Sequence, residues 1–118
     1  MSQPEELRER TKQFAIRIIR LFKALPRSSE AQILGRQLLR SGTSVAANYR
    51  AVCRARSKAE FVSRMGIVAE EADESALWIE LMSETGVLKP KRLEGILTEA
   101  HELAAIFTAS QQTAKENK

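Results

Sequence analysis

The spacing of apolar residues, interrupted by three short turn signals, most constrains how this chain folds. In the first segment, apolar residues recur at intervals of three, four and seven, which is the seam of an α-helix packed against another helix; they are Leu7, Phe14, Ile18, Leu21 and Leu25. The pattern breaks near Pro26, Ser57 and the stretch 86–90. No alternation typical of strands appears. The chain is therefore predicted to form four helices.

The predicted helices are long and the turns between them are short. The first runs over 5–25, the second from Ser28 or Ser29 (with Ser29 as N-cap) to Ala55, the third from Ser57 to Thr85, and the fourth over 91–112. Ser57 and Glu60 have the spacing of a capping box, and Gly86 is a C-cap candidate. We predict one all-α domain over 1–118, an antiparallel up-down four-helix bundle, with frayed ends at 1–4 and 113–118.

Composition restricts the cellular setting. The 118 residues include one cysteine, Cys53, so no disulfide can form within the chain. No stretch approaches the ~20 apolar residues that span a bilayer, and the N-terminus lacks the apolar run of a secretory signal. We expect a cytoplasmic protein without a membrane partner.

Charge is distributed unevenly along the chain. Residues 1–64 contain 14 Lys or Arg and 5 Asp or Glu, a balance of +9, whereas residues 65–118 contain 5 and 10, a balance of −5. The basic half could bind an acidic partner such as a nucleic acid. It could equally pair with the acidic half inside the bundle or across subunits.

Four arginines of the second helix are predicted to share one side. Arg36 and Arg54 are 18 residues apart, which is five whole turns, while Arg40 and Arg50 lie about 40° to either side of them. The apolar residues of this helix group on the opposite side: Leu34, Leu38, Val45, Tyr49 and Val52. The stripe is either an ordinary solvated face or a surface that follows a phosphate backbone. It includes no aromatic residue for base stacking.

Two further positions of the second helix have structural interpretations. Gly42 would allow a neighbouring helix to approach closely. Asn48, at the edge between the two faces, would form a hydrogen bond that holds the bundle.

The third helix carries more apolar surface than one seam needs. Ile79 belongs to the seam, but Trp78 and Leu81 point away from it, roughly toward Ile67. A helix that is apolar on every side is expected to be buried on every side. Ile67, Trp78 and Leu81 are therefore predicted to form a homo-oligomer interface, the alternative being a well-buried tryptophan.

The sequence shows no set of groups suited to catalysis or metal binding. His101 is the one histidine, and residue 98 is threonine where a helical metal site would need glutamate. Cys53 has no evident histidine partner and is expected to pack beside the core. We predict no enzyme, no metal and no cofactor.

Three stretches have a specific pattern: RSGTSVAANYR at 40–50, RARSKAEF at 54–61 and EADESALWIEL at 71–81. They resemble the bacterial four-helix-bundle family encoded in intervening sequences of 23S ribosomal RNA genes. Val52 and Cys53 depart from the family pattern. That family is similar to accessory proteins of diversity-generating retroelements, ring-shaped pentamers that bind nucleic acid and a reverse transcriptase. The resemblance implies a cytoplasmic oligomer, possibly a pentamer, and supplies no catalytic residue.

Two functional hypotheses follow. In the first, the chain is a non-enzymatic homo-oligomer that binds RNA or DNA through Arg36, Arg40, Arg50 and Arg54. In the second, it is a protein-interaction scaffold or accessory subunit whose charges serve assembly and a protein partner.

Overall fold

The computed structural model describes residues 2–117 and contains four long α-helices. They are α1 (Gln3–Lys23), α2 (Ser29–Val52), α3 (Lys58–Glu84) and α4 (Pro90–Glu116). No strand occurs among the described residues. The predicted all-α up-down bundle is confirmed.

Three of the helices have a serine as their N-cap. Ser2, Ser28 and Ser57 each accept a hydrogen bond from the backbone N–H three residues on, which satisfies one free donor of the first turn. Ser57 is the predicted N-cap, whereas α2 is capped by Ser28 rather than by Ser29. The Glu60 carboxylate reaches back to the Arg56 N–H at 3.1 Å, so the reciprocal contact falls one residue earlier than in a standard capping box.

The end of α3 explains the glycine at position 86. Thr85 is the C-cap, and Gly86 adopts a φ of 75°, a left-handed conformation that favours glycine. The Val87 N–H donates to the Met82 carbonyl at 2.9 Å, and the Gly86 N–H donates to Ser83 at 3.3 Å. These two bonds form a Schellman motif, which satisfies carbonyls of the last turn.

Several predicted helix boundaries differ from the structure, in which α1 ends at Lys23 rather than Leu25. The second helix ends at Val52 rather than Ala55, because Cys53 is its C-cap and a turn begins there. Residues 113–116, which the sequence places beyond the fourth helix, belong to α4, which continues to Glu116. Near this end Gln111 Nε2 donates to the Val62 carbonyl of α3 at 3.0 Å, which fastens α4 to its neighbour. At the other terminus α1 begins at Gln3, inside the range expected to fray, and positions 1 and 118 lie outside the described residues.

Helices adjacent in sequence pack side by side, and α4 returns to α1 in a less extensive contact that closes the bundle. The core is a continuous cluster with large side chains from every helix, including Phe14, Leu38, Ile79 and Phe107. Ser41 of α2 and Ser75 of α3 are buried within it, and Ser75 donates to Ser41 at 2.9 Å. This bond satisfies two hydroxyls that would otherwise be costly to bury.

The α2 seam lies where the sequence predicts. Leu38, Val45, Tyr49 and Val52 are buried and Leu34 is partly buried. The Asn48 amide, however, donates to the Ser44 carbonyl of its own helix at 2.9 Å and not across the bundle. Within 2–117, none of the four helices is both long enough and apolar enough to cross a membrane.

Candidate nucleic-acid interface

The first half of the arginine stripe lies beside α3. Arg40 is hydrogen-bonded to Glu74, and its Nη1 lies 3.8 Å from Glu71 Oε2. Its charge is therefore directed toward the acidic half of the chain. Arg36, one turn earlier, is exposed and has no ion pair with a carboxylate of residues 2–117.

The second half of the stripe faces α1. Arg50 and Arg54 line an open groove of about 390 Å³ between the two helices. Arg50 is in the last turn of α2, and Arg54 lies just beyond the helix end. The groove is completed by α1 side chains, namely Glu5, Arg8, Glu9 and Lys12. The structure thus brings Arg50 and Arg54 together and separates them from Arg36 and Arg40.

A second groove continues from Arg54 onto α3. It has a volume of about 400 Å³ and is lined by Arg54, Arg56, Glu60 and Arg64. Arg64 Nε donates to Glu60 at 2.9 Å. The hydrogen bond from the Arg56 N–H, followed by the one from Arg64, lowers the pKa of Glu60. Arg64 is therefore partly neutralised, while Arg54 and Arg56 are not paired with any carboxylate of residues 2–117.

Because Arg54 lines both grooves, they form one surface, which we term the basic end. It comprises six cations from three helices and the α2–α3 turn: Arg8, Lys12, Arg50, Arg54, Arg56 and Arg64. Three carboxylates, Glu5, Glu9 and Glu60, lie among them. Reasoning on α2 alone missed Arg8, Lys12, Arg56 and Arg64. The up-down topology could have found them, since it places the start of α1, the end of α2 and the start of α3 at the same end.

The three residues predicted as an oligomer interface lie on the outer side of α3. Ile67 is 42% exposed, while Trp78 and Leu81 are partly buried. Leu77, which the prediction omitted, is 46% exposed and joins them within an arc of about 100°. We term these four residues the α3 outer face. No partner chain tests the interface, so it stays a prediction.

Charged groups border the α3 outer face. The Trp78 indole N–H donates to Glu74 at 3.4 Å, so Glu74 joins the tryptophan to Arg40. Glu71 Oε2 is buried and has no hydrogen-bond partner in the structure. Burial, and then repulsion by Glu74, raise the pKa of Glu71, although Arg40 partly opposes the shift.

The groups considered for chemistry are dispersed. His101 lies 3.5 Å from Glu80 on the outside of the bundle. Cys53 is the C-cap of α2 and is exposed, although it lies beside the buried Tyr49. Residues 2–117 contain no group of three or more His, Cys, Asp or Glu side chains that could hold a metal ion.

Comparison with known proteins identifies a family and a similar solved structure. Residues 5–109 match the sequence model of a family described as 23S rRNA-intervening sequence protein. The chain is also similar to a crystal structure from Bacteroides thetaiotaomicron, described as a protein of unknown function from the S23 ribosomal protein family. The TM-score is 0.85 at 29% identity, with 94% of this chain and 99% of the other covered. No curated protein matches.

Proposed function

The chain belongs to the 23S rRNA-intervening sequence protein family, and from the basic end we propose that it is a non-enzymatic, cytoplasmic homo-oligomer that binds nucleic acid. Neither the family description nor the similar crystal structure names an activity, so the proposal depends on this chain's own surface. The contact would be made with the phosphate backbone and would carry little sequence preference.

The observation that carries the proposal is the number of unpaired cations at one end. Five side chains of the basic end have no carboxylate of residues 2–117 within 4.0 Å; they are Arg8, Lys12, Arg50, Arg54 and Arg56. Arginine suits this role because its planar guanidinium forms two parallel hydrogen bonds to phosphate and stays charged at all physiological pH values. Counterion release on phosphate binding would supply the main favourable free energy.

The four arginines of the original stripe have unequal roles in this proposal. Arg50 and Arg54 contact the nucleic acid directly. Arg36 is available at the far end of α2 for an extended strand. Arg40 contributes least, because contact with phosphate would compete with Glu71 and Glu74.

The α3 outer face supports the oligomer in the proposal. Exposed Ile67 and Leu77 place apolar surface in water beside a partly buried tryptophan, which is typical of interface anchors. A second copy would cover this surface. A pentamer is the proposed stoichiometry, in keeping with the resemblance to ring-forming proteins.

A direct binding titration tests the function. Purified protein, freed of co-purifying nucleic acid, is titrated into a fluorescently labelled RNA while anisotropy is recorded at about 50 and 200 mM salt. If at least four phosphates are engaged, the affinity should fall on the order of a hundredfold between the two salt concentrations. Absence of binding at the lower concentration would overturn the proposal.

A protein-interaction scaffold is the second candidate. It is favoured by Arg40, whose pairing with Glu71 and Glu74 shows charge used between helices of the bundle. In that case the remaining cations would bind an acidic protein, and the titration with RNA would show no binding.

A further inference from the structure

An open apolar pocket on the surface, which we term the cavity, lies beside the basic end. It has a volume of about 420 Å³ and is formed where the start of α1, the end of α2 and the start of α3 meet. Pro4, Tyr49, Val52 and Phe61 supply most of its apolar wall, and Cys53 and Lys58 line it as well. The volume falls within the range of small-molecule binding sites.

The cavity has a fixed aromatic wall. Tyr49 is only 3% exposed, and its ring centroid lies 5.4 Å from that of Phe107 in the core. Burial, followed by the neighbouring Cys53, raises the pKa of Tyr49 to about 12, so its hydroxyl stays a neutral hydrogen-bond donor at physiological pH. Phe61 is only partly buried and also lines a second cavity, of about 360 Å³, against the end of α4. Its ring is therefore available for contact with a ligand.

The turn between α2 and α3 separates the cavity from the cations. Cys53, Ala55 and Ser57 line the cavity, whereas Arg54 and Arg56, the residues between them, line the basic grooves. Consecutive Cα atoms are about 3.8 Å apart. An apolar slot and phosphate-binding groups thus lie side by side along one short segment, which is the arrangement that a nucleotide needs for its base and its phosphate.

We propose that this cavity accepts an unpaired nucleobase of the nucleic acid whose phosphates bind the basic end. The inference rests on the proposed function and adds a substrate class to it: single-stranded rather than duplex nucleic acid. Phe61 supplies a ring on which the base stacks, and Lys58 donates to its polar edge. A paired base cannot enter without leaving its duplex, which costs free energy.

Cys53 provides a direct test because it is the chain's single cysteine and lines the cavity. The wild-type protein is alkylated with iodoacetamide alone, with a saturating single-stranded RNA of about twelve nucleotides, and with the matching duplex. The single strand should slow alkylation about tenfold, and the duplex should leave the rate nearly unchanged. Equal rates with bound single strand and bound duplex would overturn the base-binding cavity.

A pair of matched substitutions provides the second test. Phe61→Leu keeps an apolar side chain but removes the ring, and should weaken single-strand binding about tenfold while duplex binding stays constant. Phe22→Leu, a partly buried phenylalanine near the opposite end of the bundle, is the control and should change neither. An unchanged ratio of single-strand to duplex affinity in Phe61→Leu would contradict the inference. If that variant does not fold, the alkylation of the wild-type chain decides.

Phosphate binding at the basic end and base binding in the cavity can be rejected by different results. RNA binding that is weakened in Arg50→Glu/Arg54→Glu but unaffected by Phe61→Leu would keep the basic end and reject the cavity. If neither single-stranded nor duplex nucleic acid binds, both the basic end and the cavity are rejected as binding sites.

Discussion

Gly42 of α2 lies against Ile18 of α1 so closely that a Cβ atom at residue 42 would overlap the Ile18 δ-methyl group. The same Cβ atom would be 3.2 Å from Ile18 Cγ1 and Cγ2, so moving the δ-methyl group to another rotamer would leave two further close contacts. Ile18 is fully buried. The glycine therefore sets the distance between the two helices whose facing sides form the groove with Arg50, which links the packing of the core to the geometry of the basic end.

Substitution of this glycine should destabilise the bundle. Gly42→Ala gains up to about 1 kcal/mol of helix propensity, but overpacking typically costs about 1–3 kcal/mol, so we expect a net loss of about 1 kcal/mol in the free energy of unfolding. Chemical denaturation measures it. Gly95→Ala in α4 is the control, because a Cβ there meets only the end of the exposed Arg17 side chain at 3.2 Å, and it should be neutral or stabilising.

A compensating change tests the same contact. Ile18→Val removes the δ-methyl group, so the cost of Gly42→Ala should be smaller in the Ile18→Val background than in the wild type. Strictly additive free energies in this double-mutant cycle would contradict the steric account.

Stability should depend on pH through Glu71. Its pKa is raised in the folded protein, so folding disfavours the ionised form, and this penalty is present at neutral pH and disappears as pH falls toward the ordinary value of 4.5. Glu71→Gln removes the penalty. Its melting temperature should exceed that of the wild type by a few degrees near neutral pH, and the difference should shrink on acidification. A difference that stays constant from about pH 7 to pH 4 would show that Glu71 is not the responsible group.

The α3 outer face should control assembly. Trp78→Ala, or Leu77→Lys and Ile67→Lys together, should shift the mass measured by light scattering from an oligomer to a single chain, because each change removes apolar surface that a second copy would cover. Ile33→Lys is the control: Ile33 is 59% exposed but lies on α2, and the oligomer should persist. Assembly that survives the α3 substitutions would place the interface elsewhere.

Much of the fold follows from local signals. Helix number and the cap at Ser57 depend on spacing and on groups within one turn, which are readable along the chain. The end of α4 was mispredicted because its last turns are held near Gln111 by a contact with α3, which is distant in sequence. The start of the turn after Val52 is predicted three residues too late, because the turn contains neither glycine nor proline.

The candidate site was only partly predictable, for a physical reason. Arg40 and Arg50, which the sequence places on opposite flanks of α2, have different neighbours: α3 for Arg40 and α1 for Arg50. The charge of these neighbouring helices cannot be read from the periodicity of α2 alone. The sequence therefore predicts one stripe of four arginines, whereas the structure separates Arg50 and Arg54 from Arg36 and Arg40. Likewise, Tyr49 lies on the buried side of α2 and Phe61 lies on α3, and the turn between the two helices places both around the cavity beside Arg54.

The salt dependence of RNA binding tests the central proposal most directly. The slope of log affinity against log salt concentration is measured for the wild type, for Arg50→Glu/Arg54→Glu, and for the control Arg40→Gln. The account predicts that the double reversal makes the slope shallower by about two and that Arg40→Gln leaves it nearly unchanged. A slope in Arg50→Glu/Arg54→Glu equal to that of the wild type would contradict the assignment of nucleic-acid binding to the basic end.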